Sequence, residues 1–277
     1  MSEVMLQQTQ AARVAPAFEA FMARFPDVRT LAAAPLGDVL RAWGRLGYPR
    51  RALALHRAAG EIVERYGAVV PRDPEALRTL AGVGDYTSAA IASLAYGRAV
   101  AAVDTNVRRI VARVEFGVEA DEVSRRGVDG AAGRWLDPHR PGAWNQALMD
   151  LGREVCRPAP RCAVCPLRAW CAFAAAGRRG RPATRRQPPF EGSMRQVRGA
   201  VTAELRERSP RTIGGIARAT GHSVARVVEA VRGLHGDGLV AATEAALAGR
   251  SGGRVSFPDE SAEDLSRAVS DGSAASG

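Results

Sequence analysis

Leu80-Ala81-Gly82-Val83-Gly84-Asp85-Tyr86-Thr87, followed by Ala102-Val103-Asp104-Thr105-Asn106-Val107-Arg108-Arg109, is the stretch on which the fold turns. The first segment lies between two runs of helical periodicity, and Gly82 and Gly84 permit a tight turn. Backbone N–H groups at such a turn, opening a helix, form a ready site for a phosphate. A glycine turn between packed helices is also common with no ligand. In the second segment Asp104 and Thr105 make a good N-cap for a helix over 106–114. Capping alone accounts for an aspartate there, so a chemical role needs further support.

Outward from this stretch, from 4 to about 172, apolar residues recur at helical spacing, as in Leu6, Val14, Phe18 and Phe21, then Val39, Leu40 and Trp43, then Leu55, Ile62 and Val63. Pro26, Pro35, Gly67, Pro74, Gly97 and Gly117 punctuate the runs, and strand-like alternation is nearly absent. An all-α domain over 1–175 follows. Arg178, Arg179, Arg181, Arg185 and Arg186 among Gly, Pro, Thr and Gln predict a solvated basic linker, bounded at 176–194. Residues 195–258 read as a helix, then a helix-turn-helix from Ile213 to Thr220, Gly221, and Val224 to Leu234. Leu239-Val240 and Val255 to Phe257 complete a two-stranded wing, giving a small winged-helix-like α/β module. The acidic, Ser- and Ala-rich 259–277 predicts a disordered tail.

With 277 residues and 46% hydrophobic content, the chain has ample material for a buried core. Its net charge of +10 suits a phosphate-bearing partner better than an acidic or apolar small molecule. All 39 residues of the Lys+Arg count are arginine. No segment approaches the roughly 20 apolar residues that span a bilayer, and no leader pattern opens the chain, so a cytoplasmic protein without membrane contact is expected. The 4 cysteines crowd into 156–171, which favours a metal site over a disulfide framework. Cys156, Cys162, Cys165 and Cys171 can present four thiolates to one tetrahedral ion or to one cubane cluster, and a structural zinc remains open on spacing alone.

Ser2-Glu3-Val4-Met5-Leu6-Gln7-Gln8-Thr9-Gln10, Leu46-Gly47-Tyr48 and Asn145-Gln146-Ala147-Leu148-Met149-Asp150-Leu151-Gly152 add to these features. Together they resemble the MutY-like adenine DNA glycosylases, relatives of endonuclease III in the helix-hairpin-helix/Gly-Pro-Asp superfamily, over about 1–175. The resemblance implies a two-lobed, all-α glycosylase with an iron-sulfur loop. A 4Fe-4S cluster would sit on the four cysteines, whose first two are one residue closer than in the family. It implies a monomer acting on double-stranded DNA with mismatched or oxidised bases, and release of adenine opposite 8-oxoguanine or guanine. Glu3 becomes the general acid and Asp104 the carboxylate facing the sugar, supported by Tyr86 and Asn106. Leu6, Gln7, Gln8 and Thr9 would line the adenine pocket or wedge into the opened stack. Leu46, Gly47 and Tyr48 would lie on the side of the orphaned base, with Gly82, Val83, Gly84 and Asp150 also on the DNA side.

The chemistry agrees with that division of labour. Cleaving an N-glycosidic bond passes through an oxocarbenium-like state, which asks for one protonated carboxyl and one ionised one. Extruding the base costs a few kcal/mol, offset by side chains that fill the gap. Schiff-base chemistry on the abasic sugar needs an amine, and a chain without lysine, with Tyr86 where the superfamily's lyases carry theirs, predicts a monofunctional enzyme. Competing readings are a thymine or uracil glycosylase acting opposite guanine, a bifunctional lyase, and an inactive DNA-binding paralogue. Two departures stand out. Family members carry a further segment ahead of the catalytic glutamate, so an N-terminally incomplete chain with a poorly fixed Glu3 helix is expected. The winged-helix-like module also stands where full-length relatives carry a domain resembling a nucleotide hydrolase.

Overall fold

The computed structural model describes residues 1–181 and 188–260. The first helices are α1 (Ser2–Leu6), α2 (Ala11–Arg24), α3 (Val28–Ala33), α4 (Leu36–Trp43) and α5 (Arg50–Tyr66). There follow α6 (Pro74–Arg78), α7 (Asp85–Tyr96), α8 (Thr105–Phe116), α9 (Arg125–Trp135), α10 (Pro141–Glu154) and α11 (Ala172–Ala175). The C-terminal part holds α12 (Met194–Glu207), β1 (Arg211–Thr212), α13 (Ile213–Thr220), α14 (Val224–Gly236), β2 (Ala241–Ala242), α15 (Glu244–Leu247) and β3 (Arg254–Ser256). Helix starts follow the side chains that satisfy orphan N–H groups: Asp27 accepts from Thr30 N at 2.8 Å, and Asp73 accepts from Ala76 N at 3.0 Å. The fold is all-α apart from the small C-terminal sheet, as expected. No described helix is long and apolar enough to cross a membrane.

The chain divides into two units, Met1–Ala68 with Gln187–Gly277, and Val69–Arg186. This corrects the boundaries drawn from sequence, which made 1–175 one domain and 195–258 another. The cause is a shared core. Met5, Phe21, Val39 and Trp43 belong to the same buried cluster as Val197, Ile213, Val231 and Phe257. The contact is close at α4, where a side chain in place of Gly37 would meet Phe257 Cβ at 3.0 Å. Burying apolar surface on α4 and on the module at once removes both from water, which periodicity along the chain cannot reveal.

The tail and linker also differ from expectation. Asp259 accepts from the N–H of Leu36 at 2.8 Å, satisfying an orphan donor at the start of α4, and Arg41 lies 5.3 Å from the Phe257 ring while pairing with Glu260. The first two residues of the supposed disordered tail are thus engaged, and 261–277 lie outside the described residues. In the supposed linker, Arg178 donates to Gly117 O at 2.9 Å and pairs with Glu122 at 3.1 Å, and Arg181 reaches Glu122 at 2.9 Å, so this stretch is tied down rather than solvated. Residues 182–187, with Arg185 and Arg186, lie outside the described residues. The wing has three strands in the order β1-β3-β2, with Arg211 opposite Val255 and Ala241 opposite Ser256. Its middle strand falls where expected. Leu239 and Val240 are buried ahead of β2, because core burial rather than pairing claims them.

Candidate active site

In the first unit, Glu3 lies on α1, a helix of 5 residues without a side-chain cap at its start. Val4 and Met5 pack into the core, while Leu6 is 38% exposed, which turns Leu6 outward rather than into the packing. The chain then leaves the helix through Gln8 at φ 57, a left-handed conformation uncommon for a residue with a side chain. What holds this turn is Arg51, far away on α5. Its Nη1 donates to Val4 O at 3.0 Å, Met5 O at 2.9 Å and Gln7 O, and its Nη2 donates to Thr9 Oγ1 at 3.1 Å. Arg51 thus ties the carbonyl end of the helix that carries Glu3 to α5.

The same Nη2 reaches Leu46 O at 3.3 Å and Gly47 O at 3.2 Å. Gly47 has φ 76 and Tyr48 φ 48, and Trp43 Nε1 donates to Gly47 O at 2.9 Å, so the loop is a tight turn stapled from inside. Leu46 is only 5% exposed and its side chain joins the core, so of the three residues expected to face DNA it is Tyr48, 42% exposed, that presents a side chain. Trp43 is a core residue, as its helical position implied.

In the second unit, Asp104 caps α8. Its Oδ1 accepts from Asn106 N at 2.8 Å and Val107 N at 2.7 Å, and its Oδ2 accepts from Asn106 Nδ2 at 2.9 Å. Three donors fix the carboxylate, two of them from Asn106, the residue expected to support it. Tyr86 directs its hydroxyl to Met149 Sδ at 3.6 Å. The approach to Asp104 is held by the buried Asn145, which accepts from Ala102 N and donates to Val100 O, each at 2.9 Å. Asp150 lies on the outer side of α10, bonded to Gln146 Nε2 at 3.2 Å and to Arg153 at 3.0 Å. Gly82 takes φ 73, Val83 N closes the turn on Leu80 O at 3.1 Å, and Gly84 is the N-cap of α7. Asp85, next along, is paired with Arg78 at 3.0 Å and Arg125 at 2.6 Å.

The four cysteines line one small cavity together with Ile110, Arg113 and Phe173. Among the described residues no three His, Cys, Asp or Glu side chains gather as a single-ion site. Two arginines of α8 hold the loop that carries the thiols. Arg109 donates through Nε to Cys156 O at 2.6 Å and through Nη2 to Asn106 Oδ1 and Gly152 O, both at 2.8 Å. Arg113, buried over the Phe173 ring at 4.9 Å, pairs with Glu119 at 2.9 Å and donates to Arg157 O at 2.7 Å and Pro158 O at 3.0 Å. Burial pushes the Cys156 thiol up, opposed by the Arg113 guanidinium 3.8 Å away. α10 approaches α8 so closely that a Cβ on Gly152 would lie 2.6 Å from Asn106 Cβ, which explains the glycine that ends the Asn145–Gly152 motif.

Residues 1–127 match the family described as the HhH-GPD superfamily of base excision DNA repair proteins. The chain is 47% identical over 215 residues to the adenine DNA glycosylase of Mycobacterium tuberculosis, covering 74% of this chain and 69% of the relative. It is 44% identical over 208 residues to that of Mycolicibacterium smegmatis, covering 75% of this chain and 71% of the relative. The chain belongs to the adenine DNA glycosylase family. The human adenine DNA glycosylase is 43% identical over 176 residues, 62% of this chain and 32% of the relative. The mycobacterial matches, at about three quarters of the chain, are longer than the 1–175 stretch and so continue into the C-terminal part. Among solved structures, a thermostable thymine-DNA glycosylase has TM-score 0.59 at 27% identity, covering 63% of this chain and 82% of that one. A non-covalent endonuclease III–DNA complex, TM-score 0.56 at 24% identity over 64% of this chain and 82% of that one, shares the fold.

Sequence reasoning within this family framework missed Arg51, Arg109, Arg113 and Asn145. Asn145 and Gly152 bound the Asn145–Gly152 motif, which is the signal available in the sequence. The arginines carried none, because in a chain whose basic residues are all arginine a buried clamp and a solvated surface charge look alike.

Proposed function

We propose that the chain hydrolyses the N-glycosidic bond of adenine paired with 8-oxoguanine or guanine in duplex DNA, as a monofunctional glycosylase. The observation that carries this reading is the 47% identity to an adenine DNA glycosylase over 74% of the chain. Glu3, in its acid form, donates its proton to a ring nitrogen of the extruded adenine. The bond from N9 to the sugar then breaks, its electron pair leaves with the purine, and positive charge develops on the deoxyribose. Asp104, fixed by Asn106 and two backbone donors, supplies the negative charge that stabilises it. Water adds to the sugar and its proton restores Glu3. Leu6 and Gln8, both exposed beside the acid, fill the space of the displaced base, and Tyr48 contacts its former partner. Gly82 to Gly84 offers backbone donors to a phosphate.

The same reading assigns a 4Fe-4S cluster to Cys156, Cys162, Cys165 and Cys171. Support comes from four thiols around one cavity with a guanidinium at their edge. When bound, the cluster would tie the segment after α10 covalently to the start of α11. Protein purified without air should be brown, with iron and sulfide in equal amounts; stoichiometric zinc in their place would overturn the assignment.

The deciding experiment measures single-turnover base release from duplexes containing adenine opposite 8-oxoguanine, adenine opposite guanine, and thymine opposite guanine. Release of adenine alone is expected. Release of thymine would establish the second reading, which the likeness to a thymine-DNA glycosylase favours. Borohydride should trap no protein–DNA adduct at high yield, since the chain has no lysine.

A further inference from the structure

We infer that Arg51 is a positioning residue that locks the helix bearing Glu3 to the Leu46–Tyr48 loop, so that the acid and the segment facing the opposite base are set by one side chain. The inference rests on the proposed function for the roles of those two segments, and on geometry for their connection. A helix of 5 residues leaves its final carbonyls without intrahelical donors, and α1 has no basic residue in its own last turn. The guanidinium of Arg51 supplies what is missing, with Nη1 shared among the carbonyls of Val4, Met5 and Gln7. Its other terminal nitrogen spans Thr9 on one side and Leu46 and Gly47 on the other.

Both clamped segments leave ordinary backbone conformation, at Gln8 on one side and at Gly47 and Tyr48 on the other. Such turns persist only where surrounding contacts over-determine them. The Arg51 side chain is itself fixed, its guanidinium carbon 5.3 Å from the Trp43 ring and 5.3 Å from the Tyr48 ring. Burial lowers its pKa, a desolvation cost borne for these contacts. Only a planar fork of donors reaches both sides at once; an ammonium group is a single point and must choose. Tyr48 is both a wall of the guanidinium's slot and the exposed side chain of its loop, so a displacement of Tyr48 is felt by the carbonyls of α1.

The test is Arg51→Lys in the full chain, with Arg50→Ala as a control on the neighbouring side chain, which is 74% exposed. Hydrogen exchange is measured on both, together with single-turnover release from adenine opposite 8-oxoguanine and opposite guanine, and affinity for a duplex carrying a non-cleavable adenine analogue. In Arg51→Lys the amides of 4–9 and of 46–48 should exchange faster together, while α12, in the same unit, keeps its protection. Per active molecule, the rate should fall by about 10²-fold, the scale expected for a misplacement of about 1 Å, with duplex affinity retained and the ratio between the two duplexes contracted. Arg50→Ala should match the parent in every readout. Loosening of one segment alone, loss of protection throughout the unit, or an unchanged rate in an active chain would each overturn the inference. Should the parent release no adenine from either duplex, the proposed function fails, and the exchange pattern still decides whether Arg51 couples the two segments.

Discussion

The two carboxylates proposed for the chemistry are anchored in opposite ways. Asp104 opens a helix of 12 residues and is held by bonds to residues two and three positions along the chain. Glu3 rides on 5 helical residues whose last carbonyls are held by a side chain more than 40 residues away. A group fixed locally keeps its place as long as its own helix survives. A group fixed remotely depends on every element between it and its clamp. The acid is therefore the member of the pair whose position the rest of its unit controls.

The largest effect that sharpens this contrast is expected for Glu3→Gln, which keeps the shape and removes the acid. Base release should fall by about 10²–10⁴-fold with duplex binding retained; near-parental single-turnover rates would break the assignment. Asp104→Asn should cost about 10²–10³-fold in rate by removing a preorganised charge. Its melting temperature should stay close to the parent, because asparagine caps a helix as well as aspartate, whereas Asp104→Ala should lose a further ~1 kcal/mol of stability. Equal melting of the two variants would show that local capping is not what holds the second carboxylate.

The second unit has a remote clamp of its own, which makes a counter-test. Arg113→Leu leaves the buried Glu119 without its partner at 2.9 Å, and should destabilise by about 3–5 kcal/mol with loss of the iron that the proposed cluster would hold, read by denaturation and metal analysis. Unchanged stability there would mean that remote guanidiniums matter less to this fold than the geometry implies.

The smallest effect concerns Glu122. Its carboxyl is held below the usual range first by the N–H of Glu119 and then by Arg178 and Arg181. A lowered folded-state pKa gives stability that is present above the ordinary glutamate value and lost as pH falls through the lower one. Glu122→Gln should remove a small part of the acid sensitivity below the ordinary glutamate range, and an acid-unfolding curve identical to the parent's would remove this contact from the account.

Much of this was legible along the chain because it is local. Helical periodicity, the Asp104 cap, the Gly82–Gly84 turn and the thiol-bearing residues from Cys156 to Cys171 each depend on neighbours within a few positions, so residue type and spacing sufficed. The winged-helix-like order of helices and the middle strand of its wing were also readable, while β1, only two residues long, lacked enough alternation to register.

What the sequence could not express was which distant segments meet. Phe257 pressed on Gly37, and Asp259 bonded to the first N–H of α4, make the C-terminal module part of the first unit's core, where composition suggested a separate domain and a loose tail. Arg51, Arg109 and Arg113 became clamps only once folding brought carbonyls and rings around them. The physical reason is that a cap is satisfied within its own helical turn, whereas an arginine's five donors take whatever acceptors packing delivers; the chain determined the elements, and tertiary packing decided which cation holds the helix of the proposed acid.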